Sequence, residues 1–468
     1  MRKIFTFRGV SAFLLSLALL LGGLGLCAQA ADPAVSRVVS TFYDAGKQGF
    51  HWYTEEDCES KVVIGGKTYT GVSALYQGLY AHSVVADDLD PGTVYTYQIG
   101  DFEGTFKTDP GRGEAISFIV TGDAQASDAN GFAHGAAVQG KAWEMFPDSD
   151  FTVTLGDHTN DSDNAQWDMY FDAFKGVHQK GTVVPIAGNH DGLLKWNWFR
   201  NMFTLKEPSN FWSNLTGVYY SFDYGDAHFA VLNTNDMLPM TVPQRNWLVN
   251  DMSRSDAKWK IVFMHKSPYS AGNDALAPDV LLLRRALLPL FDQLGIDLVL
   301  SGHDHQYYRS VPVKGDKPVQ GIFVDPVDGP GFLDYPDGEG TVYIMPGAAC
   351  NKRYAVQEPM LPAIKECAAL HEDPGKSVFA NISISGDTLT YQAYTFMPGD
   401  ADATPYDTLT LQKTQFSQPD PNFRPLPTDF VTTFPRHIFN FVTELFSVIV
   451  FDYVGAGLLF GLLGGLLG

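Results

Sequence analysis

Phe151-Thr152-Val153-Thr154-Leu155-Gly156-Asp157-His158-Thr159-Asn160 sets a short apolar, β-branched run directly before a glycine, a carboxylate, an imidazole, a hydroxyl and an amide. The run reads as a buried strand and the polar residues as the turn leaving its C-terminal end. The same pattern recurs on both sides. Ile116 to Val120 precedes Gly122-Asp123-Ala124-Gln125, and Thr182 to Ala187 precedes Gly188-Asn189-His190-Asp191. Lys260 to Phe263 precedes Met264-His265-Lys266, and Leu298 to Leu300 precedes Gly302-His303-Asp304-His305. Strands that all end in such turns predict an α/β domain with its polar chemistry gathered at one rim of the sheets.

Carboxylate, amide oxygen and imidazole are hard-to-borderline donors that suit Zn, Mn or Fe. No thiolate stands among them, which sets aside soft-metal and iron–sulfur chemistry. Two such ions roughly 3.5–4 Å apart can share a hydroxide and clamp the attacking and leaving oxygens of an in-line displacement at phosphorus. One carboxylate must bridge them, and Asp157 is the candidate.

The ordered series of blocks resembles the calcineurin-like metallophosphoesterases. Gln166-Trp167-Asp168, Tyr219 to Asp226, Leu232-Asn233-Thr234-Asn235 and His265-Lys266-Ser267-Pro268-Tyr269 resemble the bacterial, purple-acid-phosphatase-like branch of that family. A single such block is weak; the ordered set, across residues 112 to 397, is specific. The resemblance implies a two-sheet αββα catalytic domain at residues 111–412. It implies two metal ions (Fe, Zn or Mn), metal A on Asp123, Asp157 and His305 and metal B on Asp157, Asn189, His265 and His303. His190 resembles the family's transition-state histidine, and from chemistry alone the adjacent Asp191 could orient its ring.

The reaction implied is acid-phosphatase-like: attack of a metal-bound hydroxide on the phosphorus of a small phosphoester. Phosphodiesterase or nucleotidase action by the same fold stays open. From another class, a non-catalytic surface binding module stays open too, although the completeness of the ligand set argues against it. Two positions depart from the family pattern: Asn160 stands where purple acid phosphatases carry a tyrosine ligand, and Gln125 where many metallophosphoesterases carry a histidine. Both amides are further candidate ligands, weaker than the residues they replace. His158, beside Asp157, could reach substrate, but a supporting or solvent-facing ring is the favoured reading.

At the N-terminus Arg2, Lys3 and Arg8 precede an apolar stretch from Val10 to Leu26, and Ala28-Gln29-Ala30 follows. This reads as a secretory signal peptide at residues 1–30 and predicts a secreted or extracytoplasmic protein. Loss of its three cations takes the net charge from −21 to −24. So acidic a chain argues against nucleic acid or anionic membranes as main partners.

Residues 31–110 read as a domain of their own, an all-β fibronectin type III-like sandwich. Alternating runs at Ser36 to Phe42, Phe50 to Tyr53, Lys61 to Ile64, His82 to Ala86, Val94 to Ile99 and Gly104 to Thr108 supply its strands. Trp52 is its expected core residue, and Leu89 to Tyr97 resembles a tyrosine corner. Pro419, Pro421, Pro425, Pro427 and Pro435 mark residues 413–436 as a linker. Residues 437–468 form a hydrophobic tail, for which a membrane-associated segment and a helix packed on the protein's own surface are both open. Cys350 and Cys367, near in sequence, are expected to form a disulfide, leaving Cys58 free.

Overall fold

The computed structural model describes residues 34–191, 199–206, 218–235, 242–319, 331–334, 339–356, 361–413, 422–428 and 430–448. The signal-peptide residues lie outside these, as do residues 414–421 of the expected linker and 449–468 of the tail. Before the first metal-ligand block the chain forms β1 (Ser36–Asp44), β2 (Lys47–Thr54), β3 (Lys61–Ile64), β4 (Lys67–Thr70), β5 (Val72–Tyr76), β6 (Leu79–Ala86), β7 (Val94–Ile99) and β8 (Phe102–Lys107). Strands β1, β2, β6 and β5 make one layer and β4, β3, β7 and β8 the other. Phe50, Trp52, Val62, Val84, Tyr97 and Phe106 fill the space between them, as a sandwich requires. The Tyr95 hydroxyl accepts from the Asp90 amide at 2.9 Å, the back-bond of the expected tyrosine corner. Strands β4 and β5, mostly exposed, lack the apolar alternation that marks the others.

One layer of this sandwich is continuous with the catalytic sheet. β1 pairs in parallel with β11 (Thr182–Pro185), Thr41 lying opposite Val183, so its first layer runs on into the catalytic sheet. The physical reason is that β1 is apolar on both faces. Val38 points into the sandwich core, while Val39 and Phe42 join the catalytic core. A strand buried on both faces belongs inside a sheet rather than at its edge.

Beyond β8 come β9 (Ile116–Thr121), β10 (Phe151–Thr154), β12 (Tyr220–Tyr224), β13 (Ala227–Val231), β14 (Trp259–Met264), β15 (Leu298–Ser301), β16 (Tyr307–Ser310), β17 (Val313–Lys314) and β18 (Lys317–Pro318). β19 (Gly331–Asp334), β20 (Val342–Pro346), β21 (Ala368–Glu372), β22 (Ser377–Ser385), β23 (Thr388–Phe396) and β24 (Thr404–Gln412) complete the strands. One sheet has the order β19-β24-β23-β22-β9-β10-β11-β1-β2-β6-β5, and the second β12-β13-β14-β15-β20-β16-β21. Phe118 and Phe151 of the first sheet stack at 4.8 Å, and Phe229 of the second meets Phe118 edge-on at 5.6 Å. Alternate residues face outward. Ile119 packs on Val138 and Ala142 of α1 (Ala129–Met145). On the second sheet Val262, Met264 and Val299 meet α3 (Val242–Met252) and α4 (Pro278–Leu294). With α2 (Asn164–His178) beside α1, the layers are αββα, as expected.

Helix α5 (Pro362–Cys367) is short, and α6 (Phe430–Ser447) begins inside the expected linker. Residues 430–436, Pro435 included, are helical. Pro435 lies in the second turn, where its missing amide removes one backbone bond that the packing of α6 on α3 and α4 outweighs. The stretch before it is fastened as well. The Asn246 and Asn250 side chains donate to the Pro427 and Leu426 carbonyls.

The expected disulfide is absent: Cys58, Cys350 and Cys367 are free. Cys350 sits at the sheet rim with its sulfur 3.8 Å from His305 Nδ1, whereas Cys367 is packed in the helix-side core. Proximity in sequence did not bring the two together.

Candidate metal centre

The turns leaving β9, β10, β11, β14 and β15 put Gln125, Asp157, Asn189, His190, Lys266, His303 and His305 on the walls of one cleft of about 310 Å³. Asp123 and His265 are buried at the same rim. Backbone geometry makes the convergence possible. Asp123 (φ +46°), Asp157 (+52°), His303 (+78°) and His305 (+52°) are all left-handed. For residues with a Cβ this costs about 1–3 kcal/mol each and gathers at functional sites. Glycine frees the remaining space. A Cβ on Gly188 would come within 2.1 Å of the Asp157 carboxylate, and one on Gly156 within 2.5 Å of His265 Nδ1.

Donor atoms of Asp157, His265 and His303 lie within 4.8 Å of one another, as do those of Asp123, Asp157 and His305, so each trio could hold a metal ion. Asp157 belongs to both. Asn189 Oδ1 is 2.9 Å from His265 Nε2, beside the first trio. A third grouping, Asp274 with His303 and Asp304, differs in kind. There Asp304 is committed to Ser270 Oγ and the Ala271 and Gly272 amides, bracing the loop after β14.

The imidazoles are set by their outer nitrogens. Nδ1 of His265 donates to the Leu155 carbonyl (2.8 Å), that of His305 to the Lys352 carbonyl (2.8 Å) and that of His190 to the Asn160 carbonyl (2.7 Å). Each ring thereby keeps Nε2 for the cleft, the arrangement that fixes the tautomer of ligating histidines.

The electrostatics suit cations. Burial, reinforced by the Asp157 charge, pushes Asp123 up to about 8. Burial acts on Asp157 too, yet the His265 imidazolium beside it holds it well below the usual carboxylate range. In His265 burial opposes the charge, and Asp157 and Asp123 raise the ring to about 9 nonetheless. Buried acids that must share protons in this way are groups whose charge a bound cation would neutralise instead.

Two sequence expectations change. Asp191 does not orient His190. It is fully buried and accepts from the His158 amide (2.7 Å), His158 Nδ1 (2.9 Å) and the Gly188 amide (2.8 Å), locking the β10 turn to the β11 turn. His158 is therefore a supporting ring, its Nε2 tied to Thr154 Oγ1 at 2.8 Å. The Asn160 amide donates to Asp161 at 3.1 Å rather than entering the cleft, and only the Asn160 carbonyl serves the site, through His190. Gln125 does line the cleft, with Nε2 3.3 Å from His305 Nε2, and the same amide turned over presents its oxygen there.

Five cleft residues carry no role from sequence: Lys266, Asp274, Ala277, Asp279 and Tyr354. Lys266, paired with Asp279, directly follows a ligand candidate, which was a usable signal. Tyr354 stands with its ring 4.9 Å from that of His305 on a loop remote in sequence from every other block.

Residues 116–307 match the calcineurin-like phosphoesterase family. This segment is a calcineurin-like phosphoesterase domain. An uncharacterised protein of Mycobacterium tuberculosis is 27% identical over 268 residues, covering 49% of this chain and 50% of its own length. Purple acid phosphatase 21 of Arabidopsis thaliana is 26% identical over 272 residues, covering 55% and 58%. The chain thus spans little more than half the length of these relatives. Among solved structures, a purple acid phosphatase from yellow lupin seeds superposes with a TM-score of 0.66 at 15% identity, over 82% of this chain and 75% of that one. That likeness is one of fold. It extends beyond the phosphoesterase domain to most of the chain.

Proposed function

We propose that this chain is an exported, two-metal hydrolase of small phosphate esters. The observation that carries the reading is the sharing of Asp157 between two donor trios at one cleft. The donor set fits a pair of Fe, Zn or Mn ions: Asp123, Asp157 and His305 for one, Asp157, Asn189, His265 and His303 for the other, with Gln125 as an added neutral donor. Ions so held supply Lewis acidity toward the phosphoryl oxygens and lower the pKa of water.

The chain's own residues do the rest. His190, its Nδ1 anchored on the Asn160 carbonyl, has Nε2 available to donate to an equatorial phosphoryl oxygen or to protonate the leaving oxygen. Its amide also donates to Asp157 Oδ1 at 2.9 Å, which ties the position of His190 to that of the shared carboxylate. Asp191 and His158 hold the turns that carry both. The ring of Tyr354 on the cleft wall favours, as a second reading, esters whose alcohol carries a flat aromatic group, such as nucleoside monophosphates. Export rests on the N-terminal sequence, with its cationic start, apolar stretch and small-residue cleavage site.

In Asp157→Ala, bound metal falls from two equivalents to one or none, and turnover of p-nitrophenyl phosphate falls at least about 100-fold. Elemental analysis and single-substrate kinetics on the purified protein measure both. Two retained equivalents with full turnover would overturn the shared-carboxylate reading.

A further inference from the structure

The large apolar side chains left open to solvent are few among the described residues, and half of them are on α6. Ile438 is 41% exposed, Phe439 67%, Val442 56% and Phe446 63%. At 3.6 residues per turn these four fall within an arc of about 100°, a continuous stripe along one side of the helix. The other side is satisfied. α6 packs on α3 and α4, and Thr433 and Val448 are buried, Val448 against Leu281 and Leu282 of α4. Arg436, beside the stripe, is exposed as well.

We propose that α6 docks in the plane of a lipid bilayer, with Ile438, Phe439, Val442 and Phe446 entering the boundary between headgroups and acyl chains. The opposite side of α6 is packed on α3 and α4, so its contact with lipid is interfacial. Continuity along the sequence selects lipid over a second copy of the chain. Residues 449–468 carry one charge, Asp452, among Leu, Gly, Phe, Val, Ile, Ala and Tyr. A protein–protein patch is closed by a polar rim, whereas here apolar character runs on past the helix, which a bilayer can absorb. The lipid is zwitterionic. A chain of net charge −21 with no Lys or Arg after Arg436 gains nothing from an anionic surface. α6 packs on the outer helices of the second sheet, and its last described residue, Val448, meets Leu281 and Leu282 close to Asp279 of the cleft wall.

Flotation of the purified full chain with phosphatidylcholine vesicles tests this against the Phe439→Ser, Val442→Ser, Phe446→Ser triple variant. All three side chains are on the surface and outside the catalytic machinery, so turnover and melting temperature serve as controls for folding. The parent floats with the vesicles, and the variant partitions at least about tenfold less. Admixed phosphatidylglycerol does not strengthen binding. Equal flotation of parent and variant would assign binding to residues 449–468 alone and overturn the proposal. So would a parent that stays at the bottom of the gradient, or one that is dimeric without vesicles while the variant is monomeric.

Discussion

His228 lies between two carboxylates, with Nδ1 3.1 Å from Asp223 Oδ1 and Nε2 2.9 Å from Asp251 Oδ2. Burial alone would strip the ring of its proton, but the two acids outweigh it and raise it from 6.5 to about 9. A base whose pKa is raised by folding contributes stability that is complete below the unfolded value and lost as pH rises through the folded one. His228→Gln is therefore expected to lower the melting temperature at pH 6, by about 2–4 °C for each kcal/mol removed. The gap between parent and variant narrows above pH 9, and a gap constant from pH 6 to pH 10 would contradict the clamp. The same attention to direction explains which site residues were legible. Asp123, Asp157, Asn189, His265, His303 and His305 follow strand ends, where the turn aims the side chain at the rim. Asp191 also follows a strand, but adjacency to His190 does not say where its carboxylate points, and it points to His158 and Gly188.

Five strands of the phosphoesterase domain, β9, β10, β11, β14 and β15, were legible as elements because each is an apolar run closed by a glycine or another turn residue. The predicted run Leu298 to Leu300 is β15 to within one residue, and Phe151 to Leu155 is β10 likewise. The joining of β1 to β11 was not legible, since pairing between Thr41 and Val183 leaves no local mark on either segment. The one trace was Arg37, a cation inside an apolar strand. Arg37 is 3% exposed, with Nε 2.7 Å from Asp168 Oδ1 and Nη2 3.3 Å from the Asn164 carbonyl, both on α2. Arg37→Ala removes these bonds and the packing of the guanidinium on the Tyr53 ring, at a cost of about 1–3 kcal/mol. If the joined sheet couples the sandwich to the phosphoesterase domain, calorimetry should show a single transition in parent and variant, shifted downward in the variant. Two resolved transitions in the parent would mean that the sandwich melts alone. The start of α6 was missed for the opposite reason. Its proline, Pro435, carries a local helix-breaking signal, whereas its amphipathic face is rewarded only by tertiary packing.

At the scale of the whole molecule, the net charge of −21 acts on every approach of substrate. A phosphate ester is itself an anion, so the long-range field of the chain repels it, while the attraction that holds it is confined to the cleft. Salt separates the two effects. Raising ionic strength from 0.01 M to 0.15 M shortens the Debye length from about 30 Å to about 8 Å, which removes most of the distant repulsion but little of a contact made in a partly buried cleft. For a phosphomonoester dianion kcat/KM should rise by about two- to threefold over that range while kcat stays level. A diester monoanion, with half the charge to repel, should show a smaller rise. Stopped-assay kinetics in sodium chloride at constant pH measures the slopes. A kcat/KM that falls with salt for the dianion would show that local attraction reaches beyond the cleft mouth, and that the acidic surface has no part in setting how fast substrate arrives.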